Sequence, residues 1–102
     1  MHQILDPAGR VRGTAKSADP EDFLRIAWGM GPRDHFTVLL TDEGVWELHI
    51  YRADRIPAIV TLAVRTGFVA DADVTKTRHA MIEAAWLDLV DDGWTVSQNP
   101  QG

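Results

Sequence analysis

Cysteine is missing from all 102 residues of the chain. Its absence excludes disulfides, thiolate nucleophiles and cysteine-ligated zinc. It also suits a reducing compartment, so a cytoplasmic location is expected. No apolar run approaches the roughly 20 residues that span a bilayer, and the first residues lack the basic-then-apolar pattern of a secretion signal. No membrane partner is expected. Lysine is scarce too: Lys16 and Lys76 stand against eight arginines. With frequent Ala, Val, Asp and Gly, this composition is typical of GC-rich bacterial or phage genomes.

Motifs of catalysis are also lacking. There is no G-x-S-x-G elbow, no G-x-x-x-x-G-K-[ST] loop and no H-E-x-x-H pair. Gly29-Met30-Gly31-Pro32-Arg33 is glycine-rich, but it follows a helical stretch rather than a strand and reads as a helix stop. Acyl transfer and P-loop phosphate chemistry have no basis in the sequence, and no cofactor is expected.

What is present describes one domain. Hydrophobic residues make up 45% and charged residues 25%, which places the chain among globular proteins and not disordered ones. Four tryptophans (Trp28, Trp46, Trp86, Trp94) supply large units of burial. The formal net charge is −5 and uneven: Arg10, Arg12 and Lys16 against Asp6 give residues 1–18 a net of +2, leaving −7 for the remainder. An acidic domain lacks the basic footprint of a nucleic-acid binder.

The organising stretch is residues 35–52. Asp42-Glu43-Gly44 between two β-prone runs predicts a hairpin, with Gly44 closing the loop at positive φ. Thr41 then faces Val45, and the register pairs Leu39 with Glu47, Thr37 with His49 and His35 with Tyr51. Period two sorts Phe36, Val38, Leu40, Trp46, Leu48 and Ile50 onto one apolar face. His35, Thr37, Leu39, Val45, Glu47, His49 and Tyr51 share the other.

Around it, residues 1–18 read as a flexible or weakly structured arm, with a short hairpin or edge strand as an option about the turn cluster Asp6-Pro7-Ala8-Gly9. Asp19-Pro20-Glu21-Asp22 starts a helix, which Gly29, Gly31 and Pro32 stop. Residues 58–66 alternate as a third strand; the competing reading is a helix from Pro57 to Gly67, and the β-branched content favours the strand. Asp71-Ala72-Asp73 introduces a long helix over about 74–91, which Gly93 ends, with Val74, Met81, Ile82, Ala85, Trp86, Leu89 and Val90 as its apolar stripe. Residues 94–97 could add a last strand, and 99–102 should fray. The expected fold is therefore α+β: a two-layer sandwich of a three- to four-stranded antiparallel sheet with two helices on one face, in the order α-β-β-β-α(-β), forming a single domain over residues 19–98. The element order is similar to that of double-stranded-RNA-binding domains, but the lysine run that opens their second helix is reduced here to Lys76 and Arg78.

Function would then fall to the sheet face that the helices leave open: His35, Leu39, Val45, Glu47, His49, Tyr51 and Arg65. The leading expectation is a small acidic protein-binding module, an inhibitor, adaptor or chaperone-like dimer, encoded by a phage or mobile element and acting on a host protein such as a nucleic-acid-binding complex. Exposed sheet edges make a homodimer an expectation as well. One alternative is a metal site or enzyme built on His35, Glu47 and His49, since imidazoles and a carboxylate can ligate zinc or exchange protons. Another is a nucleic-acid surface using Arg10, Arg12, Lys16, Lys76 and Arg78. His79 with Glu83, and the acidic group Asp88, Asp91 and Asp92, read as solvated helix surface.

Overall fold

The computed structural model describes residues 1–54, 56, 58–62 (backbone only for 59–62) and 73–98. It is an α+β protein with six strands, two helices and two antiparallel sheets among these residues. The elements run β1 (His2–Leu5), β2 (Val11–Ala15), α1 (Pro20–Ala27), β3 (His35–Leu40), β4 (Trp46–Tyr51), β5 (Ile59–Leu62), α2 (Val74–Asp91) and β6 (Thr95–Gln98).

Both helices start and stop on the residues that the sequence marks. The Asp19 carboxylate accepts the Glu21 N–H at 3.0 Å, and the Asp73 carboxylate accepts the Lys76 N–H at 3.0 Å, so each satisfies an N–H that the first turn leaves free. Both ends close alike. Met30 N–H reaches the Arg25 carbonyl and Gly29 N–H that of Ile26; Trp94 N–H reaches the Leu89 carbonyl and Gly93 N–H that of Val90. This is the double bond pattern of a Schellman ending, and it requires the left-handed backbone that Gly29 (φ 61°) and Gly93 (φ 111°) adopt.

The hairpin has the expected register: His35 faces Tyr51, Thr37 faces His49 and Leu39 faces Glu47. Thr41 and Val45 bracket the loop, with the Thr41 N–H donating to the Val45 carbonyl at 2.8 Å and Gly44 at φ 80°. The third strand forms over Ile59–Leu62 and pairs with β4, setting Thr61 opposite His49 and Val60 opposite Ile50. The remainder of the expected strand, residues 63–66, and the expected fraying at 99–102 lie outside the described residues.

Two expectations are corrected. Residues 1–18 are not an arm: the short hairpin weighed about Asp6–Gly9 forms, as β1 paired with β2, and β1 also pairs with β6, giving a second sheet of order β2-β1-β6. Ile4, fully buried, is the reason: its side chain belongs to the core. The last strand therefore joins the N-terminal sheet and not the hairpin. Nor do both helices cover one sheet. Helix α1 lies on β1 and β2, α2 lies on β3 and β4, and the helices pack on each other. Each sheet thus has its own helix, and the apolar faces of both meet a single core.

That core holds Ile4, Phe23, Leu24, Phe36, Leu48, Ile50, Met81, Ile82, Ala85 and Trp86. Each large side chain fully withdrawn from water contributes about 1.5–3 kcal/mol. Phe23 and Trp86 join the two helices, with ring centroids 5.2 Å apart. Trp28 meets Phe36 edge-on at 5.9 Å and joins the end of α1 to β3. The expected stripe of α2 is right at its centre. At its ends Val74 and Val90 are exposed, because the packing partner does not extend over those turns.

Candidate functional site: the outer face of the hairpin

The hairpin's outer face carries six of the seven residues singled out in the sequence; the seventh, Arg65, lies outside the described residues. Strand position sorts the six. β4 is central, flanked by β3 and β5, while β3 pairs among the described residues with β4 alone. A central strand's side chains are shielded by neighbours on both sides, an edge strand's on one. His35 and Leu39 on β3 are exposed, and so is Val45 beside the loop; Glu47, His49 and Tyr51 on β4 are half-buried.

The face divides into two pairs and an apolar end. The rings of His35 and Tyr51, directly opposite in the register, lie 4.9 Å apart at 31°. His49 Nε2 lies 3.1 Å from Glu47 Oε1, two residues along the same strand. Towards the loop, Leu39 is 50% exposed and Val45 52%. Leu40, expected on the buried face, is 44% exposed, because the core stops short of the hairpin's distal end. Across from it, Trp46 packs partly against the core, and its buried indole N–H has no hydrogen-bond acceptor among the described residues.

The geometry does not assemble the metal site considered from sequence. His35 stacks on Tyr51 and His49 engages Glu47, and among the described residues no three His, Asp or Glu side chains converge as ligands would. Three of the basic residues already have carboxylate partners. Arg78 grips Glu21 with two bonds of 2.7 and 3.1 Å, and Arg10 and Arg12 lie 3.4 and 3.6 Å from the Asp6 carboxylate. His79 and Glu83 are exposed on α2, as are Asp91 and Asp92 at its end, with Asp88 half-buried.

Two polar centres escaped the sequence reading. Asp6, only 4% exposed, accepts the N–H groups of Arg10 and Ala8, both at 3.0 Å. The Arg10 N–H, then the Ala8 N–H and the Arg10 and Arg12 guanidinium groups, hold its carboxyl below the ordinary value of 3.8 against the opposing effect of burial. The turn cluster around Asp6 was the available signal; its burial was not. The second centre is the loop after α1. Arg25 donates to the carbonyls of Asp34 at 2.8 Å and Gly31 at 2.7 Å, while the Asp34 carboxylate accepts from Gly31 at 2.9 Å and from Ala53 at 2.9 Å. These bonds fix where β3 begins relative to α1, and so orient the hairpin.

No helix among the described residues is long and apolar enough to cross a membrane. No family model, curated protein or solved structure matches the chain.

Proposed function

We propose that this protein is a small acidic, non-catalytic protein-binding module that acts in the cytoplasm as an inhibitor, adaptor or chaperone-like subunit, with the outer face and distal end of the β3–β4 hairpin as its docking surface. One observation carries the reading: Leu39, Leu40 and Val45 leave about half of their surface in water at one end of a hairpin whose other end is anchored in the core. Leu39 and Val45 on the outer face, bordered by Glu47 and His49, have the make-up of an interaction surface, an apolar centre with a polar border, and Leu40 adds exposed apolar surface on the opposite face of the same end. Its placement on a projecting hairpin leaves it accessible.

The same surface suits a second copy of this chain. β3 carries no Lys, Glu, Asp or Pro along its length, so antiparallel pairing of two β3 edges would meet no like charge. The metal-site or enzyme reading has less support, since the two imidazoles have separate partners.

The test pairs the wild type with a Leu39→Asp/Val45→Asp variant in capture from the native host and in light scattering. A partner or dimer present with the wild type and lost with the variant, at an unchanged unfolding midpoint, supports the reading. Association indifferent to these substitutions, or a monomer that retains no partner at all, removes it.

A further inference from the structure

A groove of about 530 Å³ runs between β2 and α1. Its strand wall is formed by Arg12, Thr14, Ala15 and Lys16. Successive residues of a strand point to opposite faces. A cavity that touches the adjacent strand residues Thr14 and Ala15 together therefore lies along the strand's edge and not over one of its faces. That edge is open: in the order β2-β1-β6, β2 pairs with β1 and, among the described residues, with no other strand. The opposite wall is α1, where Ile26 and Met30 give an apolar surface.

The groove's charge is opposite to that of the chain. Arg12, Lys16 and Arg25 line it against the single carboxylate of Asp22, in a protein of net charge −5. Two of these cations are already fixed. Arg25 is clamped by the Gly31 and Asp34 carbonyls, and Arg12, at a register shift that leaves it unpaired between Val11 and Gly13, lies over the Trp94 ring at 5.7 Å and near Asp6. Arg25 therefore needs no further ordering when a ligand arrives, whereas the charge of Arg12 is already shared with the Asp6 carboxylate, which leaves Arg25 and Lys16 as the cations a ligand would meet. Lys16 is exposed, and Asp22 already accepts a hydrogen bond from the Ser17 hydroxyl at 2.6 Å.

We propose that this groove binds an extended acidic peptide segment of a partner protein, which adds to the outer edge of β2 as a further strand. The backbone of β2 supplies the hydrogen-bonding ladder, the cations attract alternate acidic side chains, and Ile26 with Met30 receives an apolar one. The strand wall accommodates roughly five residues at about 3.4 Å each. A single-stranded nucleic acid is also an anion, but no aromatic side chain lines the groove to stack its bases. The site is separate from the hairpin surface, and neither depends on the other.

Fluorescence anisotropy on the full chain tests this with five probes: a labelled peptide of alternating Glu and Val or Thr, its lysine counterpart, two versions of the acidic peptide N-methylated on one or the other alternate set of backbone nitrogens, and a ten-nucleotide oligothymidylate. The acidic peptide should bind saturably, weaken as salt rises, and exceed the lysine peptide by at least about tenfold. N-methylation of one alternate set should weaken it by a similar factor, and of the other set much less. Lys16→Glu should cost about tenfold without moving the unfolding midpoint, while Leu39→Asp should change nothing. Absence of binding, equal binding of the lysine peptide or the oligonucleotide, or indifference to both N-methylated sets or to Lys16→Glu would each overturn the assignment.

Discussion

Gly13 and Ile26 touch: a β-carbon placed on Gly13 would stand 2.8 Å from the Ile26 Cγ2 methyl. That is inside any normal carbon–carbon contact, and the methyl branches directly from the helix, so it cannot swing aside. Strand β2 can approach α1 this closely only because residue 13 has no side chain.

Gly13→Ala should therefore destabilise the protein by about 1–3 kcal/mol, the cost of overpacking, and outweigh the roughly 0.4–1 kcal/mol that a glycine replacement can return by restricting the unfolded chain. Ile26→Ala removes the obstructing methyl. The double variant should lose less than the two single losses together, measured by urea unfolding. Additive losses would mean that the contact is not the cause.

The two faces of the hairpin should respond differently to the same truncation. Leu48→Ala, at a fully buried site, should cost about 2–5 kcal/mol. Leu39→Ala, half exposed on the other face, should stay within roughly 0.5 kcal/mol. Denaturant midpoints of the two variants give the comparison, and similar losses would contradict the assignment of faces.

Asp6 gives stability a definite pH dependence. Its folded pKa lies below the ordinary 3.8, so the ionised form is favoured by folding. The contribution is complete above the unfolded value and disappears as pH falls through the folded one. In urea titrations, Asp6→Asn should be less stable than the wild type near neutral pH, with a gap that stays level down to about pH 5 and closes below the ordinary carboxylate range. A gap that widened on acidification would have the wrong sign.

Glu21 in the first turn of α1 and Arg78 in the second turn of α2 link the two helices, and both side chains remain about one-third exposed (32% and 33%). Solvent screening keeps such pairs modest. A double-mutant cycle with Glu21→Gln and Arg78→Met should return a coupling of roughly 0.2–1 kcal/mol that shrinks in high salt. A salt-independent coupling would point to packing instead of charge.

Local signals account for what the sequence disclosed. The caps at Asp19 and Asp73, the glycines at 29 and 93 and the loop closed by Gly44 each act within a few residues, and each element formed where they point. Alternation along 36–40 and 46–50 likewise identified the face that holds Phe36, Leu48 and Ile50. What escaped was non-local. β1 finds β6 about 90 residues along the chain, by backbone bonds whose partners no periodicity encodes. Without that pairing, the first residues read as an arm or at most a lone hairpin, and nothing marks β1 as the centre of a sheet. The hairpin's outer residues were identified from local alternation. The register already set His35 opposite Tyr51, and their rings meet; that His49 turns to Glu47 on its own strand depended on rotamers.

The pairing of β1 with β6 also decides how the molecule would yield to force. The two strands run antiparallel, with His2 across from Gln98 and Leu5 across from Thr95. A load applied at residues 2 and 98 falls on the outermost pair alone. The ladder would open like a zipper, one rung after another, instead of resisting in shear with all rungs loaded together. An optical-trap tether at these two positions should open this seam at low force. A tether at residues 2 and 95, which pulls β1 and β6 lengthwise past each other, should meet much greater resistance from the same bonds.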